Sequence, residues 1–196
     1  MTFVLATANQ GKIREMRDIL NGSGIEIATR EELGIDIEVE ETGATFLENA
    51  LLKARAICEA SGLPAIADDS GLVVDALNGE PGVYSSTYGG DGLDAGKRFE
   101  YLLHKMRGIE RRSAKFVCTI VCAFPDGSII KAEGVCRGTI TSSPRGSGGF
   151  GYDPVFLVHG TDKTMAELTS AEKNRLSHRG QALRRFLASL HERGIA

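Results

Sequence analysis

The sequence carries no excess of positive charge: 23 Lys and Arg stand against 26 Asp and Glu, a formal net charge of −3. A generic nucleic-acid binder would show a basic patch large enough to move that total, so nucleic acid is not an expected partner. No apolar run approaches membrane-spanning length, and no membrane partner is expected either. The opening Met-Thr-Phe-Val-Leu-Ala-Thr has no basic n-region and no cleavage signal, which leads to the expectation of a cytoplasmic protein. Cysteine is scarce. Cys58, Cys118, Cys122 and Cys136 form no Cys-x-x-Cys pair and have no histidine at zinc-finger distance. They read as reduced core thiols, with Cys118 and Cys122 on one face of a strand-like run. Internal repeats, low-complexity tracts and a clear linker are missing too. Residues 1–196 therefore read as a single domain of at most two lobes.

What is present is ordinary in bulk and uneven in detail. A hydrophobic share of 42% with 25% charged residues supplies an adequate core without staples. From Glu31 to Glu48 there are acids at 31, 32, 36, 38, 40, 41 and 48 and no Lys or Arg. The tail reverses this, with Lys173, Arg175, Arg179, Arg184 and Arg185 close together. An acidic and a basic segment suit a metal and an anionic ligand, and equally suit two solvated faces.

Hydrophobic periodicity alternates early between strand and helix. Phe3 to Ala6 reads as a buried strand, followed by a helix carrying Ile13, Met16, Ile19 and Leu20 and stopped by Asn21-Gly22-Ser23-Gly24. Ile25 to Ala28 is a second strand. Thr42 to Ser61 reads as a long helix with Leu47, Leu51, Ala54 and Cys58 inward, ended by Gly62 and Pro64. A third strand, Ala65 to Ala67, runs into Asp68-Asp69-Ser70-Gly71. Asp94 to Met106 is helical by pattern. Phe116 to Phe124 and Ser128 to Ile140 form a hairpin turned by Pro125-Asp126-Gly127. The loop 142–152, a strand Val155 to Val158 and a helix Leu176 to His191 complete the chain. A mixed α/β sheet is the expected fold class.

Two helix starts break the usual electrostatic preference for acids at that end. Asn9 N-caps the first helix, yet Lys12 stands where a capping box would place Glu or Gln. The last helix opens with His178 and Arg179. Cations there are tolerated when an anion lies between them and the backbone, and a phosphate fits the first site. Asp68-Asp69 leave an apolar strand for what reads as a glycine turn at a sheet edge, where ligands bind. Adjacent carboxylates are costly unless a cation offsets them, and magnesium takes one or two carboxylates plus substrate phosphates. They could instead cap a turn. Glu40-Glu41 need no metal to explain them, since acids favour helix starts. Thr45, Asn49 and Lys53 form a polar stripe opposite the apolar one. Gly146-Ser147-Gly148-Gly149-Phe150-Gly151 matches Gly-x-Gly-x-x-Gly by letter, but leads into a strand rather than a helix, so a dinucleotide site is rejected. It reads as a flexible loop allowing close backbone approach to a ligand, with Phe150 as a stacking face. A P-loop is absent.

Taken together these segments resemble the inosine triphosphate pyrophosphatase family. The matching stretches are Leu5 to Lys12, Glu40-Glu41-Thr42-Gly43 with Phe46, Glu48-Asn49-Ala50 and Lys53-Ala54, and Ala67 to Leu72. Gly82 to Ser86, Gly148 to Pro154, Glu167-Leu168 with Glu172-Lys173-Asn174, and Ser177-His178-Arg179 follow in the family's order across nearly the whole chain. The resemblance implies an elongated, twisted mixed sheet flooring a cleft between two α/β lobes, and a homodimer. It implies hydrolysis of non-standard purine nucleoside triphosphates (ITP, dITP, XTP) to monophosphate and pyrophosphate, with Mg2+ as cofactor.

Carried over by residue, Thr7, Asn9 and Lys12 would hold the triphosphate, helped by Lys53. Glu40 and Asp69 would bind magnesium, with Glu41 and Asp68 as close supports. Asp69 would activate the water, and Ser70 would contact substrate. Phe150 would stack on the base, and Gly151 and Tyr152 beside it would also bind substrate. Asp153, Lys173, His178 and Arg179 would surround the base edge and nearby phosphate. His178 and Arg179 can donate to a 6-oxo group, and leaving such donors unpaired costs about 1–3 kcal/mol each. Guanine also has that oxygen, so its rejection is not explained. Ala8 departs from a common glycine and Tyr152 from an occasional tryptophan. A non-catalytic purine nucleotide-binding protein is the alternative.

Overall fold

Alternating small and large apolar residues on the first strands decide which helix covers which face. The computed structural model describes residues 1–195. The chain divides into two units: the first holds 1–69, 118–134 and the chain from Arg179 onward, the second 70–117 and 135–178. Six strands form one sheet in the order β2-β1-β3-β4-β5-β6: β1 (Thr2–Leu5), β2 (Glu26–Thr29), β3 (Ala65–Val74), β4 (Ser113–Ala123), β5 (Ile129–Ile140) and β6 (Phe156–Val158). β1 runs parallel to β2 and β3, whereas β5 and β6 are antiparallel. The sheet is mixed, as expected.

In the first unit Phe3, Leu5 and Ile66 point to one face, where α1 (Gln10–Leu20) and α5 (His178–Glu192) cover them with Met16, Leu20, Leu183 and Phe186. Val4, Ala6, Ala65 and Ala67 point to the other face, against Ala50, Ala54 and Ile57 of α2 (Phe46–Ser61). The period-two alternation of a strand accounts for this division. Alanines on both sides of the second contact let α2 approach the sheet closely.

The helix α2 starts four residues later than its periodicity predicts. Thr45 caps it through a capping box with Glu48, and Gly62 closes it in a left-handed conformation. Its buried face is rotated as well: Leu47 is exposed, and Asn49 is buried.

In the second unit, α3 (Ala95–Lys105) and α4 (Ser170–Leu176) pack with Leu72, Val74, Phe116, Ile140, Tyr152 and Phe156. The helix expected from Leu176 to His191 is present as α5, starting two residues later at His178; the extended Ser177 separates it from α4, a short helix the periodicity does not predict. The extended residue closes α4, with its N–H donating to the Lys173 carbonyl. Arg112 ties strand ends together by donating to the carbonyls of Met106, Ile109, Ile140 and Thr141.

Candidate active site

Asp68 and Asp69 lie inside a strand, not in a glycine turn at a sheet edge as the sequence suggested. β3 continues through Ser70-Gly71 to Val74, and it sits between β1 and β4. A strand sends neighbouring side chains to opposite faces, so the two adjacent carboxylates are separated rather than forced together. Each meets a different helix.

Asp68 follows Ile66 onto the face covered by α1 and α5. Its Oδ2 lies 3.1 Å from the Lys12 ammonium and accepts from Arg179 Nε and Nη2 at 3.2 and 2.9 Å. Arg179 Nη1 donates to Glu15 Oε2 at 2.6 Å. Both Asp68 and Arg179 are 1% exposed. Burial alone would raise the Asp68 pKa, but Lys12, Arg179 and Lys53 outweigh it and hold the carboxyl far below its usual range. Asp68 thus gives both Lys12 and Arg179 a buried partner within the protein.

Asp69 follows Ala65 and Ala67 onto the α2 face. Its Oδ1 lies 3.1 Å from Lys53 Nζ, which also lies 3.1 Å from Glu41 Oε2. Asn49 Nδ2 lies 3.5 Å from Asp69 Oδ2, at the outer limit of a hydrogen bond. The Asn49 carbonyl accepts the Gly43 N–H at 2.7 Å, which turns its amide nitrogen toward Asp69. A Cβ at residue 43 would sit 2.6 Å from Asn49 Oδ1, so the backbone contact requires glycine there. The polar stripe of α2 thus has a purpose: two of its members converge on one carboxylate. Burial pushes the Asp69 carboxyl up to about 6, against Lys53 and Lys12, which lower it, while Glu41 adds to the rise. Lys53 is lowered by burial and raised more by Asp69, Asp68 and Glu41, for a net increase.

Around the start of α1, Asn9 accepts the Lys12 N–H at 3.1 Å, and Thr7 Oγ1 accepts the Asn9 N–H at 3.2 Å. Thr7 and Ala8 also border a cavity of about 310 Å³ whose wall includes Ile13, Thr29, Arg30 and Ile35. Glu40 is exposed, and its carbonyl accepts the Thr42 N–H at 3.2 Å.

In the second unit Asp153 Oδ2 accepts the Phe150 N–H at 2.9 Å and the Lys173 ammonium at 2.7 Å. Lys173 Nζ stands 4.9 Å from the Phe150 ring centroid, so one cation holds the loop and faces its aromatic ring. Gly149 has φ +73°, and a Cβ there would collide with the Asp153 carboxylate. At Gly146 and Gly148 a Cβ would press on the Ala166 carbonyl. These three glycines serve close packing within the chain; Gly151, with φ +63°, meets nothing within 4 Å. Tyr152 is buried, and its hydroxyl donates to the Ser85 carbonyl at 2.9 Å, while Ser85 Oγ accepts the Leu72 N–H. His178 is buried with its ring stacked on Phe116. Ser70 is half-buried on β3.

Glu15 was not singled out from the sequence, although it follows Lys12 at the i+3 spacing that shares a helix face. It is half-buried and braces the buried Arg179. Glu15→Gln is expected to lower stability by about 1–3 kcal/mol by removing the charge from that contact, read as a lower urea midpoint at pH 7. An unchanged midpoint would show that Asp68 alone satisfies the guanidinium. The four cysteines are buried free thiols, and burial pushes Cys118 up to about 12 and Cys136 up to about 11.

Fold and side-chain clusters define a mixed α/β protein that sets buried carboxylates of β3 against lysine and arginine carried by α1, α2 and α5. Residues 3–189 match the Ham1 family, and the chain belongs to it. A dITP/XTP pyrophosphatase of Thermus thermophilus is 52% identical over 189 residues, 95% of this chain and 90% of the relative. One from Salmonella paratyphi A is 48% identical over 191 residues, 95% and 96% of the two chains. The solved structure of a HAM1 protein from Coxiella burnetii superposes with a TM-score of 0.90 at 41% identity, covering 98% of this chain and 99% of that one.

Proposed function

We infer that this protein is a hydrolase that converts non-standard purine nucleoside triphosphates (dITP, XTP and ITP) to the monophosphate and pyrophosphate. Relatives named dITP/XTP pyrophosphatase at about half identity over nearly the whole chain support the reaction class. The observation that carries the reading at the level of chemistry is Asp69. A buried carboxylate with its pKa pushed up to about 6 is ionised at neutral pH yet basic enough to take a proton.

In this reading Asp69 accepts a proton as a water oxygen bonds to the α-phosphorus. The bond from that phosphorus to the bridging oxygen breaks, and pyrophosphate leaves. Lys53 orients Asp69, and Lys12 with the start of α1 meets the triphosphate. Asp68 keeps Lys12 and Arg179 in place.

Magnesium is part of the proposal. Among the described residues no three His, Cys, Asp or Glu side chains gather as a protein-only metal cage. The donors at Lys53 do fit the partial ligand set magnesium uses with phosphates, because Asp69 and Glu41 offer hard oxygens to one neighbourhood. Glu41 and Asp69 would hold the ion, with Glu40 near in sequence. When bound it would neutralise phosphate charge. In the second unit, Phe150 is assigned to stacking on the base and His178 to its edge, with Asp153 and Lys173 supporting the loop. A homodimer and a cytoplasmic location belong to the same proposal, and sedimentation tests the first. Among the described residues no helix is long and apolar enough to cross a membrane.

The test is pyrophosphate release from inosine, xanthosine, adenosine and guanosine triphosphates with and without magnesium. Magnesium-dependent release strongly favouring the first two, with only slow release from adenosine triphosphate, is expected. Equal release from all four would remove the selectivity, and none from any would leave a nucleotide-binding protein.

A further inference from the structure

A short aromatic stack in the second unit ends on His178. Phe156 of β6 lies 4.6 Å from Phe116 of β4 at a 52° tilt, and Phe116 lies 4.7 Å from the His178 imidazole at 11°. All three rings are buried: Phe156 at 0%, Phe116 at 6% and His178 at 5% exposure. Gly138 of β5 makes room for this arrangement, since a Cβ there would collide with the Phe156 ring and the Leu157 carbonyl. The stack is therefore anchored on two strands, while His178 is the first residue of a helix.

The near-parallel contact has a geometric consequence. An imidazole offers its hydrogen bonds in the ring plane, at Nδ1 and Nε2. With a phenyl face lying flat against it, rotation about Cβ–Cγ would push the imidazole edge into that face. The ring plane is held, and the hydrogen bonds of both nitrogens are confined to it. Hydrogen bonds weaken steeply once bent, so a ring free to turn distinguishes poorly between an oxo acceptor and an amino donor. A site built around a fixed hydrogen bond rejects a mismatched partner more strongly.

We propose that Phe116 is a specificity-determining positioning residue, which sets the choice of purine base by fixing the plane of the His178 imidazole. This rests on the reading that His178 meets the base edge. Phe116 acts through His178, so its effect is one of base binding and not of the phosphoryl-transfer step.

The test measures kcat and KM for inosine and adenosine triphosphates in Phe116→Met, Phe116→Leu, His178→Ala and the corresponding double variants. Both Phe116 variants keep apolar bulk while removing the flat ring, which limits damage to the core. A rise of about 5- to 20-fold in KM for inosine triphosphate is expected, with kcat within about twofold, as for lost uniform binding. The inosine-to-adenosine ratio of kcat/KM falls by a similar factor. In the His178→Ala background the same substitutions should add less than about twofold, because coupled residues are non-additive. Equal losses on both substrates, or losses undiminished in the His178→Ala background, would assign Phe116 to packing and overturn the proposal. If His178→Ala lowers the ratio and neither Phe116 variant does, this inference alone fails. If His178→Ala leaves the ratio unchanged in an active enzyme, the base-edge reading fails and takes this one with it.

Discussion

Asp69→Asn is expected to end turnover while making the folded chain more stable. Loss of a general base typically costs about 10²–10⁴ in rate, and the amide cannot accept the proton. The stability gain follows from burial. In the folded chain the Asp69 carboxyl titrates near 6, above the unfolded value near 4. A raised carboxylate binds its proton more tightly when folded. Its favourable contribution is therefore complete below about pH 4 and is lost as pH rises through 6. At pH 7 the wild-type chain holds an ion in a place that disfavours it, by about 1–3 kcal/mol. Asparagine removes that cost. Urea unfolding with a chelator present should show a higher midpoint for Asp69→Asn at pH 7, with the difference shrinking toward pH 4. Retained turnover in Asp69→Asn would remove the base assignment, and a lower midpoint would show that Lys53 contributes more than burial costs.

The neighbouring substitution should act in the opposite direction. Asp68→Asn takes the negative charge from a fully buried carboxylate that faces both Lys12 and Arg179. Breaking a buried pair by removing one partner typically costs about 3–5 kcal/mol, because the other charges stay buried without compensation. Against a typical total of about 5–15 kcal/mol, that approaches global unfolding. The sign with pH is also reversed. A depressed carboxylate stabilises above its unfolded pKa, and the contribution is lost only as pH falls through the still lower folded value. The gap between wild type and Asp68→Asn should therefore persist from pH 7 down to about 4, where the Asp69→Asn difference has faded. Thermal or urea unfolding across that range separates the two. A small loss for Asp68→Asn would mean that Glu15 suffices to hold Arg179.

The contrast between these adjacent aspartates explains much of what was legible in the sequence and what was not. Their importance could be read from an apolar strand running into two acids. Their division of labour could not, because the apparent turn at Ser70-Gly71 concealed a strand that continues to Val74. With β1 and β4 on either side, pairing across the sheet overrides the local turn preference of Asp-Ser-Gly. Lys12 and Arg179 are cations at helix starts, and a ligand phosphate fits the first of these on the sequence alone. The structure adds a protein anion beside both, Asp68, a residue 111 positions from Arg179. Asn49 belongs to a polar stripe whose surroundings the sequence does not show; small residues at 50, 54, 65 and 67 bring α2 close enough to bury it beside Asp69.

Local order and alternation determined a good deal alone. Strand and helix sequence in the first seventy residues, the Asn9 cap, the 125–127 hairpin turn and four core thiols follow from propensity and period, which depend only on near neighbours. The separated motifs, in one order, were enough to point to the family. Tertiary structure decided the rest: which face of β3 each aspartate occupies, that α4 and α5 are separate helices, that Glu15 braces Arg179, and that Phe116 lies flat on His178. These depend on contacts between residues far apart in the chain, where distance and burial set the charge states, and no spacing along the sequence encodes them.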